Sequence, residues 1–346
     1  MSELWDPNRA YKILRHYVDF CTRHSYRKIY TEGTLPGEGR AYVYAPNHTN
    51  TLMDPLLVLQ ERRGATAFGA RADVFRNPRI ARIMRFLKIV PLARRDRDRP
   101  EEVARNKATL EEIDRILAHD VPFCIFCEGR HRTMHSLLPV RRGIAHIAFV
   151  SAAQRPTSIV PIGIDYSDWF HYRGCVRIKY GEPMDMNAFL QEHAGLNDSE
   201  RDAALQQELY KQLSSLIFFI PDDEHYEENL AAAMASAPQP RKARRIIQAI
   251  LGFPLFLLCA VLSLPMWAIA EYICNRKIKD PAFCNTARFG VKLVGTPVFF
   301  ILWAVALFLL LPWWAATPLL LLFLPSYSIF YDWLNLVRPL KSFLLS

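Results

Sequence analysis

The stretch Ala45-Pro-Asn-His-Thr-Asn-Thr-Leu-Met-Asp-Pro55 sets an imidazole and a carboxylate close together between two apolar segments. Ahead of it, Ala41-Tyr-Val-Tyr-Ala45 is a short apolar run rich in strand formers, and behind it Pro55-Leu-Leu-Val-Leu59 reads as the buried side of a helix. His48 therefore falls in a strand-to-helix turn. His48 and Asp54 are six positions apart, about a third of a turn off a shared helical face. They meet only if the histidine lies in the turn and the aspartate at the helix start. Asp followed by Pro is also a common helix-capping pair, which gives Asp54 a purely structural alternative.

Outward from this turn, apolar runs alternate with helical stretches. Runs at 66–70, 80–86 and 89–93 precede a charged helix over 101–118; a buried strand at 121–127, a helix over 144–152 and runs at 158–165 and 176–180 follow. The alternation predicts an α/β domain with a mostly parallel sheet flanked by helices, whose loops at one sheet edge bring distant motifs together. Residues 7–30 read as an amphipathic helix, with Tyr11, Leu14, Tyr17, Val18 and Cys21 recurring at helical spacing and basic residues between them. Such a helix suits either a membrane surface or packing on the domain. A further helix is expected over 198–219, and residues 231–240, closing with Pro-Gln-Pro, read as a linker. The expected organisation is an N-terminal helix over 1–35, the α/β domain over 36–220, a linker over 221–244 and a C-terminal α-helical membrane region over 245–346.

Hydrophobic residues make up 51% of the 346, and the excess is concentrated in two uncharged blocks, 246–270 and 298–330. Each exceeds the roughly 20 apolar residues that mark a membrane segment. The net charge of +9 is also local, with 14 Lys or Arg against 5 Asp or Glu between Arg62 and Lys107. That excess calls for an anionic partner. The chain has no helix-turn-helix, zinc-finger or aromatic RNA-binding signature, so anionic lipid or a phosphorylated substrate is expected and nucleic acid is not. Seven scattered cysteines without framework spacing point to reduced thiols. Cys124 and Cys127 form a C-x-x-C in the expected buried strand, where positions three apart face opposite ways and cannot share a metal. The N-terminus has no basic-then-apolar signal, which places the first domain in the cytosol.

Phe126-Cys-Glu-Gly129 and Pro139-Val-Arg-Arg-Gly143, taken with Asn47, His48 and Asp54, resemble the glycerolipid acyltransferase family over about residues 40–185. That family includes the glycerol-3-phosphate and lysophosphatidate acyltransferases. Most members have four residues between the motif His and Asp; here there are five, which looks like a subgroup that includes fungal enzymes acting on glycerol phosphate and dihydroxyacetone phosphate. The family's Phe-Pro-Glu-Gly-Thr-Arg reads Phe-Cys-Glu-Gly-Arg-His here, leaving the motif guanidinium to Arg130 or Arg132. Pro91-Leu-Ala-Arg-Arg95 resembles the family's phosphate-binding block, with Arg94 aligned and Arg95 the alternative, and Ile159-Val-Pro-Ile-Gly163 resembles its apolar block, with Pro161 lining the site.

The resemblance implies that His48 is a general base held by Asp54. It further implies that Asn47, Arg94 or Arg95, Glu128, Gly129, Arg130 or Arg132, and Pro161 bind substrate. The implied donor is acyl-ACP or acyl-CoA and the acceptor a glycerol phosphate hydroxyl, with membrane lipid as surroundings, direct transfer and no cofactor. No metal-ligand spacing is present. The alternative class is a non-catalytic membrane protein that binds anionic lipid through its basic face. Hydrolysis is disfavoured because no G-x-S-x-G elbow occurs.

Arg241, Lys242, Arg244 and Arg245 precede the first apolar block, Arg276, Lys277, Lys279, Arg288 and Lys292 separate the two, and Arg338 and Lys341 follow. Positive flanks on one side predict a shallow re-entrant hairpin for the first block, broken at Pro254 and Pro265, and a helix hairpin around Pro312 and Pro318 for the second. A single first span is the alternative.

Overall fold

The computed structural model describes residues 3–338 apart from 36–38, 63, 95–96 and 237–241. Helix α1 (Arg9–Arg23) starts where the Asn8 side chain accepts from the Tyr11 amide at 2.8 Å. It is followed by β1 (Lys28–Glu32), β2 (Ala41–Pro46), α2 (Met53–Gln60), β3 (Ala67–Arg71), α3 (Pro78–Phe86), β4 (Ile89–Leu92), α4 (Pro100–Ala104), α5 (Asn106–Ala118) and β5 (Phe123–Cys124). Next come α6 (Gly143–Ala152), β6 (Thr157–Tyr166), β7 (Cys175–Tyr180), β8 (Met184–Asp185), α7 (Met186–Glu192), α8 (Asp198–Leu216) and α9 (Tyr226–Ser236). The chain ends in three long helices, α10 (Lys242–Arg276), α11 (Cys284–Leu310) and α12 (Trp313–Val337).

The strands form one sheet in the order β1-β7-β6-β2-β5-β3-β4, with β8 also on β6. All pairings are parallel except β6 with β7 and with β8. The expected mostly parallel sheet is therefore present. Strand β6, inside the sheet, is buried over its whole length, as a strand covered on both faces must be. Side chains alternate between the two faces. Ala41, Val43 and Ala45 join the layer with α5, α6, α7 and α8, while Tyr42 and Tyr44 face the layer with α1, α2 and Phe289 of α11.

The local differences from the sequence reading have physical causes. The 121–127 run is a strand only at Phe123–Cys124, because the chain then turns out of the sheet toward the site. The 80–86 run is helix α3, which buries none of its residues, and the 101–118 helix is broken into α4 and α5. Helix α1 stops at Arg23, so that β1 can pair with β7, and α9 occupies much of the expected linker. Arg15, read as part of the polar face of α1, is buried and donates to the Arg62 carbonyl at 2.6 Å, packing α1 on the domain.

The first apolar block is not a hairpin. It lies within the single 35-residue helix α10, and Pro254 and Pro265 sit inside it. The second block does divide at Leu311–Pro312 into α11 and α12, though α11 reaches back to Cys284. All three helices are long and apolar enough to cross a membrane. Arg245 donates to the Leu336 carbonyl at 3.1 Å, Trp333 to Ala249 at 3.0 Å, and Phe256 stacks on Phe330, an antiparallel pairing of α10 with α12. The bundle is fixed to the domain by Arg173–Asp332 at 2.6 Å, by Asn335 donating to the Tyr172 carbonyl at 2.7 Å and by Tyr17 donating to the Leu293 carbonyl at 2.8 Å.

Gly163, in the middle of β6, marks where α8 meets the sheet. A Cβ there would lie 2.7 Å from both Cβ and the carbonyl oxygen of Leu216. Gly163→Ala is expected to cost about 1–3 kcal/mol by overpacking and to lower the melting temperature in detergent by several degrees. Adding Leu216→Ala should not restore it, because the backbone contact remains; wild-type melting of the single variant would refute this packing.

Candidate active site

The carboxyl ends of the parallel strands β2, β5, β3 and β4 lie along one edge, so the loops after them stand side by side at roughly 4.8 Å per strand. His48 follows β2, Glu128 follows β5 and Arg94 follows β4. The chain's exit from β2 is fixed by Asn47, whose buried amide donates to the Ile164 carbonyl at 3.1 Å and accepts from the Ile164 amide at 2.7 Å. It then turns through Thr51, which has a left-handed φ of 42°, and enters α2 at Met53.

Asp54 is fully buried, and four donors converge on its carboxylate. Oδ2 accepts from His48 Nδ1 at 2.7 Å and from the amides of Thr49 and Asn50 at 2.8 Å each, and Oδ1 accepts from the Tyr166 hydroxyl at 2.5 Å. The aspartate is thus not an N-cap, a position held by Leu52; its side chain reaches back into the turn before the helix. With Nδ1–H given to the carboxylate, the neutral imidazole keeps its lone pair on Nε2. The ring stacks on Phe126 at 4.1 Å and its side chain stays 18% exposed, enough for a substrate hydroxyl to reach it.

Glu128 holds this turn from the other side. Its two oxygens accept from the His48 amide and the Leu138 amide, both at 2.8 Å, while the Arg132 amide donates to the His48 carbonyl at 3.0 Å. Burial raises the Glu128 carboxyl above its ordinary value, against the opposing pull of the two amides. Gly129 has φ +71°, and a Cβ on it would meet the Arg141 side chain at 3.3 Å.

The expected substrate ligands divide sharply. Asn47 is a clamp between β2 and β6, Glu128 ties backbone to backbone, and Pro161 is buried in β6 opposite Ala45 with its carbonyl taken by the Gly181 amide at 2.9 Å. All three have these groups engaged inside the fold. Arg94 pairs with Asp98 at 3.2 Å, three strands from His48, and Arg95 lies outside the described residues. Arg132 is bound to Asp222 and to Ser136 Oγ at 3.2 Å, whereas Arg130 is exposed with no side-chain hydrogen bond among the described residues. Exposed Arg141, from the Pro139-Val-Arg-Arg-Gly143 motif, stands beside it at Gly129 and was not singled out in the sequence. Tyr166 was missed altogether, having no signal beyond its place at the end of an apolar strand. His131, in the motif's Arg position, sits with its ring 5.8 Å from that of His48 and its Nε2 3.4 Å from Asp280. Cys124 and Cys127 are buried, and burial raises both thiols.

The site thus consists of a His–Asp pair in a strand-to-helix turn, backed by a Glu-Gly loop from the neighbouring strand. Residues 24–165 match the family model described as Acyltransferase. Glycerol-3-phosphate O-acyltransferase 2 of Saccharomyces cerevisiae is 29% identical over 131 residues, which are 36% of this chain and 17% of that protein. The chain therefore matches only about a sixth of its curated relative's length. The crystal structure of the 1-acyl-sn-glycerophosphate (LPA) acyltransferase PlsC from Thermotoga maritima aligns with a TM-score of 0.44 at 20% identity, covering 59% of this chain and 78% of that one. Over residues 24–165 the chain is therefore similar to the acyltransferase family.

Tyr166 is a positioning residue that acts through Asp54. Tyr166→Phe leaves Asp54 Oδ1 without its donor, and the loss of one charge-assisted hydrogen bond predicts about 1–3 kcal/mol lower stability. Because the imidazole is then less firmly oriented, kcat should fall about 3- to 10-fold with KM unchanged. A variant with lowered stability and wild-type kcat would show that Tyr166 serves the fold alone.

Proposed function

We propose that the chain transfers a fatty acyl group from an acyl-CoA or acyl-ACP thioester to a hydroxyl of glycerol 3-phosphate or 1-acylglycerol 3-phosphate, with its catalytic domain on the cytosolic side of a membrane. The observation that carries the reading is the 2.7 Å contact between His48 Nδ1 and Asp54 Oδ2, in a histidine whose side chain stays partly exposed. A hydroxyl is a poor nucleophile near neutral pH and thioester attack generates an oxyanion, so a positioned base is needed. His48 Nε2 takes the proton from the acceptor hydroxyl as its oxygen bonds to the thioester carbonyl carbon. The tetrahedral intermediate then expels the thiolate, which recovers that proton from the imidazolium. Asp54 stays ionised throughout, holding the tautomer and stabilising the imidazolium.

The guanidinium groups of Arg130 and Arg141, without a side-chain hydrogen bond among the described residues, suit the acceptor phosphate, because a planar fork binds phosphate oxygens two at a time. The names of the yeast and Thermotoga maritima relatives support a phosphorylated glycerol acceptor. The three apolar helices support a membrane setting for an acyl chain.

His48→Ala is expected to remain folded and membrane-bound while losing about 100-fold or more of its acyl transfer. The assay offers labelled acyl donor with glycerol 3-phosphate, dihydroxyacetone phosphate and lysophosphatidate in parallel. Near-normal activity in the variant would overturn the mechanism, and equal use of acceptors lacking phosphate would overturn the substrate class. Arg130→Ala and Arg141→Ala should each raise the KM for the phosphorylated acceptor about 5-fold or more with little change in kcat. An unchanged KM in both would remove these arginines from the phosphate site.

A further inference from the structure

The connection between α10 and α11, residues 277–283, does not hang free of the catalytic domain. Asp280 lies 3.4 Å from His131 Nε2, and the Phe283 ring meets the His131 ring edge-on at 5.2 Å, so a single ring separates Phe283 from the catalytic imidazole. The turn is also rigidly set. Asp280 caps it, accepting from the Ala282 amide through Oδ1 at 3.0 Å and from the Phe283 amide through its carbonyl at 3.0 Å. Immediately after it, Asn285 donates to the Trp169 carbonyl at 2.6 Å and Thr286 shares a hydrogen bond of 2.7 Å with Thr51 of the catalytic turn. The Glu271–Arg288 ion pair at 3.1 Å ties the two helices together just below.

Against this background two large apolar side chains stand out. Phe283 is 40% exposed and Leu52, next to the Thr51–Thr286 bridge, is 45% exposed. Neither is needed to fill the core, and an exposed apolar pair beside a reactive group marks a binding surface. On the adjoining helices, Ile269 and Tyr272 near the end of α10 and Val294 on α11 are likewise exposed. A fatty acyl chain whose thioester carbonyl is at His48 has its other end in the bilayer, and the path between the two runs past this turn.

We infer that Phe283, with Leu52, forms the wall against which the acyl chain of the thioester donor lies, so that the connection between α10 and α11 supplies the specificity-determining residue of the site. The inference rests on the acyl-transfer reading and adds which residue measures the chain. His131 and Asp280 position that wall and need not touch the reacting atoms.

The test uses the full chain in detergent or vesicles, comparing lauroyl, myristoyl, palmitoyl and stearoyl donors as coenzyme A thioesters, or on acyl-carrier protein if the wild type uses only that. One methylene in an apolar site is worth on the order of 10-fold, so Phe283→Ala should shift relative kcat/KM toward the longer chains by about fivefold or more. Phe283→Trp should shift it by a similar factor toward the shorter ones. Ratios between chain lengths that stay at the wild-type values in both variants, including a uniform loss of activity, would overturn the inference while leaving the acyl-transfer reading intact. Wild-type protein that transfers no chain to any acceptor would overturn that reading instead.

Discussion

The carboxylate of Asp54 has no contact with water, and an ion in that position is tolerable only when its lone pairs are filled. Four donors fill them, and they come from two parts of the chain: the turn after β2, which supplies the His48 ring and the amides of Thr49 and Asn50, and the far end of β6, which supplies Tyr166. Satisfying one charge therefore fixes the start of α2 against two strands of the sheet. Thr51 has a left-handed backbone just before the helix, and the first-turn carboxylate of Asp54 reaches back past it to the histidine. Catalytic geometry and local stability are here the same set of hydrogen bonds.

A glutamate in a phosphate-binding motif looks electrostatically misplaced until its partners are counted. Glu128 spends both oxygens on backbone amides, one of them that of His48, so its charge faces inward and stitches the loop after β5 to the loop after β2. The arginines then sort by the same logic. Arg94 and Arg132 have carboxylate partners and are structural in this conformation, whereas Arg130, next to Gly129, and Arg141, whose side chain packs at Gly129, make no side-chain hydrogen bond among the described residues. A charge already paired contributes less to binding a phosphate than one left open, since the existing ion pair must first be broken.

Much of this edge was legible in the sequence because it follows from local rules. An apolar run before Asn47 and a helix after Pro55 placed His48 in a turn, and alternating apolar runs gave the parallel sheet. What was illegible depends on partners distant in sequence. The Tyr166 hydroxyl on Asp54, the Ile164 backbone on Asn47 and the Leu138 amide on Glu128 join loops that only the folded sheet brings together. The burial of Pro161, expected to line the site, has a related reason. Its strand, β6, lies inside the sheet with both faces covered, so a motif residue there supports the site from beneath.

The membrane region shows where counting prolines misleads. A proline inside a water-exposed helix costs about 3 kcal/mol, but among packed apolar helices neighbouring groups and small backbone adjustments can accommodate the missing hydrogen bond, so Pro254 and Pro265 interrupt no helix in α10. The charges in these helices are the stronger constraint. Arg288 donates to the Phe170 carbonyl at 2.6 Å as well as to Glu271, and the buried Lys292 donates to the His24 carbonyl at 2.7 Å, so acceptors for both come from the catalytic domain. Separating the bundle from the domain would strand these cations in apolar surroundings, a penalty of several kcal/mol per ion. The helices and the domain are held as one body, and the distance from the bilayer to His48 is built into the fold rather than left to a linker.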